Sequence, residues 1–303
     1  MLQLTVTGRE DLGGRRPPRR LAVTTLLLPV VVALGTACSG APADDPAPLP
    51  SAAPPHLLPP IYSAVYDTEE VGRQISAAQG QLIARCMKEA GFTYPAMDPA
   101  EVGAPDRPKP FGLESLEQPL ATRESPASEK PGRVDKAYIR ALYGDESDRI
   151  TAKGATMQVS RPAHGCQTQA DTRLLGEKKN LKRWSETRIK LYEAEVEAQS
   201  LVRQDPEFKS LNARWATCMK RAGFTFRDPL QVLEKLPAKA VFRTEPSARA
   251  DLTCKDETDY LRSAYTGLAR AQRHVLTESP ELLTTWKSLL RRQSDAARQV
   301  LAR

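Results

Sequence analysis

Histidine is scarce in this chain of 303 residues. There are three, His56, His164 and His274, and no His-x-x-x-His or Cys-x-x-Cys, so the spacings that hold zinc are absent. A serine nucleophile wants a Gly-x-Ser-x-Gly elbow or a matched histidine and acid, and neither is visible. No glycine-rich loop is placed to cradle phosphate. Aromatic residues make up only 6%, and the three tryptophans fall on helical stripes, where core packing is their ordinary use. The sequence therefore nominates no catalytic, cofactor-binding or metal residue and leans away from an enzyme. Paired carboxylates for glycoside cleavage are the one catalytic class left open, because spacing in sequence does not reveal spacing in space.

What the chain does have is a motif used twice. Cys86-Met87-Lys88-Glu89-Ala90-Gly91-Phe92 returns as Cys218-Met219-Lys220-Arg221-Ala222-Gly223-Phe224. A glycine just past a run of helix formers takes the left-handed conformation that ends a helix, and the next apolar residue folds back onto the last turn. Each copy should stop a helix and present a buried cysteine. A fainter echo sets Asp171 and Asp259 five residues after Cys166 and Cys254.

The remaining cysteine, Cys38, follows a leader. Residues 1–20 are rich in arginine, and the apolar run Leu21–Leu34 is shorter than the about 20 residues of a spanning helix. It suits a secretory signal. Gly35-Thr36-Ala37 before Cys38 resembles a bacterial lipobox, although Leu34 stands one place too early for that pattern. The resemblance implies cleavage before Cys38 and a lipid on its thiol; the plainer reading is a secretory signal with a free Cys38. The alternative export signal, a twin arginine at Arg19-Arg20, is not supported by the residues that follow.

The full chain carries 44 Lys and Arg against 37 Asp and Glu. Removing residues 1–37 takes five arginines and two acids, leaving 39 against 35. That mixed, mildly basic balance does not point to nucleic acid. Residues 39–60 hold eight prolines and read as an extended tether of at most about 70 Å.

Four cysteines outside the cytoplasm fit two bridges. The expected pairing is Cys86–Cys166 and Cys218–Cys254, each joining the end of one helix to the start of the next. The rival pairing joins equivalent positions, Cys86–Cys218 and Cys166–Cys254. The expected fold is mainly α: two disulfide-stapled helical units forming a pseudo-repeat, with one small β-hairpin, preceded by a signal peptide and a Pro-rich tether. The divisions are 1–37 signal, 38–60 tether, 61–175 first unit and 176–303 second unit.

Within the units, a helix should begin near Asp67 with Asp67 or Thr68 as cap and an apolar face of Val71, Ile75, Ala78, Leu82 and Cys86. Residues 95–133, dense in proline, read as a long exposed loop. A short helix is expected over Asp135–Tyr143 and a hairpin over Arg149–Ser160. One long charged helix is expected from about Gln169 to Arg203, and another from Asp205-Pro206. A further helix carries Leu261, Ala264, Tyr265, Leu268 and Val275. The last restarts at Ser279-Pro280-Glu281 with a stripe of Leu283, Trp286, Leu290, Ala297 and Leu301.

Cys38 with its preceding small residues, the doubled Cys-Met-Lys-x-Ala-Gly-Phe, and the stretch from Ala141-Leu142-Tyr143-Gly144-Asp145 to Pro162-Ala163-x-Gly165-Cys166 resemble a group of secreted proteins and lipoproteins of high-GC actinobacteria. The resemblance covers most of the chain after the leader. It implies location on the outer face of the cell membrane and carries over no catalytic residue. The leading expectation is a non-enzymatic, membrane-anchored envelope lipoprotein that binds a protein or cell-wall polymer, needing no cofactor. The alternatives are a cell-wall hydrolase using carboxylates near the hairpin and Pro-rich loop, and a structural or sensor-accessory lipoprotein.

Overall fold

The computed structural model describes residues 58–95, 107–117, 135–237 and 240–302. The leader, Cys38 and residues 39–57 of the expected tether lie outside them. The protein is mainly helical, with ten helices and one two-stranded hairpin among the described residues.

Helix α1 (Pro60–Val65) begins where the tether was expected to end. Pro60 sits in the first turn, where its missing N–H costs nothing, and Ile61, Tyr62, Ala64 and Val65 are buried. Helix α2 (Glu69–Glu89) carries Glu69 and Glu70 at its positive end, both paired with Arg73. Its N-cap is Thr68, whose hydroxyl donates back to the Val65 carbonyl instead of capping the helix. Its buried residues, Ala78, Ile83 and Met87, lie slightly round the helix from the expected stripe, with Ile75, Leu82 and Cys86 at the margin.

Helix α2 ends as its glycine dictates. Gly91 has φ +85°, the Phe92 N–H donates to the Met87 carbonyl at 2.8 Å, and the Gly91 N–H donates to Lys88 at 3.0 Å. These two bonds define the Schellman ending. Helix α3 (Lys136–Tyr143) is capped by the Asp135 side chain. Strands β1 (Arg149–Lys153) and β2 (Gln158–Pro162) pair antiparallel, with Ile150 opposite Arg161 and Ala152 opposite Val159.

The single long helix expected from Gln169 is two helices, α4 (Cys166–Leu175) and α5 (Lys178–Gln204). Gly176, with φ +89°, breaks them, and Asn180 Nδ2 donates to the carbonyl of Leu175 at 2.9 Å across the corner. The break turns Leu175 and Leu181 together onto Leu289.

Asp205 caps α6 (Pro206–Arg221), accepting the Glu207 N–H at 2.8 Å. The second motif copy then repeats the first ending: Gly223 has φ +88°, and the Phe224 N–H donates to Met219 at 2.9 Å. Helices α7 (Pro229–Lys235), α8 (Pro246–Glu257), α9 (Tyr260–Leu276) and α10 (Leu282–Leu301) complete the body. Helix α10 starts two residues later than a Ser279 cap would place it, with Glu281 as N-cap. Its buried stripe is accordingly Leu282, Trp286, Leu289, Gln293 and Ala297, with Leu283 and Leu290 at the margin and Leu301 exposed.

The main core lies among α1, α5, α6, α9 and α10, centred on Trp215, Tyr62, Tyr260, Tyr265, Leu191 and Leu268. Two long-range bonds fix α1 into it: the Ile61 N–H donates to Gln272 Oε1 at 2.8 Å, and Trp286 Nε1 donates to the Ala64 carbonyl at 2.9 Å. A smaller cluster of Ile83, Met87, Leu142, Cys166 and Ala170 lies under the first motif copy.

Residues 107–117 correct the expectation of a wholly exposed loop over 95–133. Phe111, Leu113, Glu114 and Leu116 are buried, and Phe111 joins the main core. Leu113 and Leu116 pack with Phe242, Ala248 and Leu252. The rest of that expected loop, apart from Pro95, lies outside the described residues.

Candidate functional site

Both bridges of the expected pairing are present. Cys86–Cys166 has a Cα separation of 5.5 Å and Cys218–Cys254 one of 5.6 Å. Cys86 closes α2 and Cys166 opens α4, as expected. Cys218 closes α6, but Cys254 lies in the last turn of α8 and opens nothing, since α9 starts at Tyr260. The second staple therefore joins two helix ends. Two disulfides point to an extracytoplasmic protein. No helix among the described residues is long and apolar enough to cross a membrane.

The aspartate echo has no common environment. Asp171 is half-buried on α4, accepting from Arg161 at 2.6 Å and from Gln79. Asp259 is an exposed N-cap residue with φ +50° that pairs with Arg262.

Three carboxylates among the described residues have raised proton affinities, and each is explained by its neighbours. Burial pushes Asp171 up, against the pull of Arg161. Burial also raises Glu195, which sits among Tyr66, Arg188 and Gln199. Asp251 and Lys255 form a fully buried pair at 2.8 Å, and burial pushes both toward neutrality, the acid up and the amine down. Trp215 Nε1 donates to the same carboxylate at 3.0 Å, and Lys255 donates to the Leu113 carbonyl at 2.6 Å. The cluster thus pins the 107–117 segment to α8. A neighbouring cluster of Arg107, Glu114 and Tyr265 pins the same segment to α9.

Glu193 is displaced the other way. Burial alone would raise it, but donors from the hairpin turn override that and hold it below the ordinary carboxylate range. They are the N–H groups of Ala155 at 2.8 Å, Thr156 at 2.6 Å and Met157 at 3.1 Å, with the Thr156 hydroxyl at 2.8 Å. The turn comes this close because position 154 is glycine: a Cβ there would fall 2.5 Å from Ile189 and 2.3 Å from Glu193.

The histidines contribute little to a site. His164 pairs with Asp148 at 2.9 Å in the open, His274 is exposed on α9, and His56 lies outside the described residues. No group of three His, Cys, Asp or Glu side chains stands close enough to hold a metal ion among the described residues. Tyr260 and Tyr265 are buried, and Tyr192 is exposed.

Two surface grooves stand out among the described residues. The first, about 500 Å³, lies between the start of α6 and the middle of α9, walled by Phe208, Leu211, Arg214, Ser263 and Gly267. Its carboxylates, Asp205 and Glu207, are both paired with Arg270. The second runs where α2, α4 and α10 meet. One end is lined by Arg85, Arg173, Ala296 and Gln299, the other by Arg173, Ser288, Arg291, Arg292, Ala296 and Gln299, so Arg173, Ala296 and Gln299 belong to both. Sequence reasoning missed this groove, because its arginines come from three separated helices and form no linear pattern. No family model, curated protein or solved structure matches the chain.

Proposed function

We propose that this is a lipid-anchored envelope protein whose helical body binds a partner without chemistry of its own. The observation that carries the reading is the condition of the carboxylates. Among the described residues, those with raised proton affinity, Asp171, Glu195 and Asp251, are held by Arg161, by Tyr66 and Gln199, and by Lys255 and Trp215. None of them lines either groove. A hydrolase needs a carboxyl group that can hand a proton to a substrate in a cleft. The disulfides fit an extracytoplasmic place, and Cys38 after its small residues supplies the anchor.

The test is fractionation of cells expressing the chain with Cys38 intact or as Cys38→Ala. The intact chain should sediment with membranes and yield a Cys38 peptide heavier by a lipid. The variant should be released to the medium. A variant that stays with the membrane, or an unmodified Cys38 peptide from the intact chain, would overturn the anchor.

A further inference from the structure

Four arginines line the groove between α2, α4 and α10, and all four are exposed. Arg85 comes from α2, Arg173 from the last turn of α4, and Arg291 and Arg292 from α10. None of them has an ion-pair partner among the described residues, although most other arginines there do. The one acid in the lining, Asp295, is already paired with Arg298. Arg292 reaches across to the end of α4, where a Cβ on Gly176 would stand 3.7 Å from its guanidinium.

Like charges that share one groove repel one another, and an anion that joins them relieves the repulsion. Guanidinium groups suit phosphate and carboxylate oxygens because their donors form a planar fork. The groove is long as well as basic. Along α10 its lining runs from Ser288 to Val300, which is about 18 Å at 1.5 Å per residue. Arginines stand on both walls and at both ends, an arrangement that follows a strand. A membrane surface would instead meet a flat or convex face carrying exposed apolar side chains. Leu82, Ala296 and Val300 lie in the groove only half-exposed.

We propose that this groove is the docking site for a linear phosphodiester polyanion, running along α10 with its phosphates on Arg85, Arg173, Arg291 and Arg292. The inference rests on the binding function proposed above and names the chemistry of the partner.

The experiment is a titration of the full oxidised chain in neutral detergent with fluorescently labelled poly(glycerol phosphate), followed by anisotropy at several salt concentrations. Vesicles of anionic lipid and the polycarboxylate hyaluronate run alongside. Binding to poly(glycerol phosphate) should weaken steadily with salt, and should fall roughly tenfold or more in R291Q/R292Q and in R85Q/R173Q. Arg270→Gln, in the other groove, should bind as the parent does. Circular dichroism and the bridge count of each variant exclude misfolding as the cause of a loss. No binding, equal binding by the arginine variants, or a preference for vesicles or hyaluronate would overturn the proposal. The outcome is separable from the anchor reading: a lipidated Cys38 with unaffected arginine variants defeats only this inference, whereas an unmodified Cys38 defeats the reading beneath it.

Discussion

The two copies of Cys-Met-Lys-x-Ala-Gly-Phe end their helices with the same hydrogen bonds, yet they rest on different foundations. Around Gly91 and Gly223 the backbone is nearly superimposable in its angles, φ +85° and +88°. The residue three places before each cysteine marks the divergence. In the first copy it is Ile83, in a small satellite cluster; in the second it is Trp215, fully buried in the main core and bonded to Asp251. A local signal can thus be written twice and give one local structure, while the burial beneath it is decided by the rest of the fold.

The largest expected effect comes from removing the bridges. By the chain-entropy model, C86A/C166A loses about 4.5 kcal/mol and C218A/C254A about 3.8 kcal/mol, from sequence separations of 80 and 36. The comparison is sharpened by hydrogen exchange. The first deletion should deprotect α2 near its end and α3, leaving the main core protected. The second should deprotect α6, α8 and α9 together. Equal, global loss in both variants would break the contrast between satellite and core.

Trp215→Phe should cost about 1–3 kcal/mol, because it removes the donor to a buried carboxylate. The matching change in the first copy, Ile83→Val, removes one methylene and should cost about 0.5–1.5 kcal/mol. Denaturant midpoints measure both. Gly91→Ala and Gly223→Ala should instead cost alike, about 1–2 kcal/mol each. Neither site meets an atom within 4 Å of an added Cβ, and only the left-handed backbone resists it. Unequal costs would show that the endings are less alike than their bonds.

A last, modest effect is a control outside both copies. Glu193→Gln should cost about 1 kcal/mol near neutral pH, after screening. Hydrogen bonds hold the folded Glu193 below the ordinary carboxylate range, so its contribution is present above the ordinary value of about 4.3. It is lost as the pH falls through the lower folded value. The gap between variant and parent should close in strong acid and persist near neutrality.

Much of this architecture was legible in the residues where the signal is local. Gly91, Gly223, Asp205-Pro206 and the alternation at Ile150 and Ala152 each act within a few residues, and each element formed where expected. The failures all involve partners distant in sequence. Proline density masked Phe111, Leu113 and Leu116, whose burial depends on α8 and α9. Gly176 falls inside the helix expected over Gln169–Arg203, but its left-handed angle turns α4 away from α5, and the corner places Leu175 and Leu181 on Leu289. Helix α1, just past the expected tether, was not anticipated because six residues carry too little period to register, and bonds from Gln272 and Trp286 stabilise it. The arginine groove was illegible for the same reason: its residues lie on three helices.

The most direct test of the account incubates the full oxidised chain with purified cell wall, then measures both the bound protein and the wall material released to the supernatant. The account predicts that the chain sediments with the wall and that the supernatant stays free of wall fragments. Soluble fragments that appear with time, and disappear when a single carboxylate is replaced, would contradict it and establish the hydrolase.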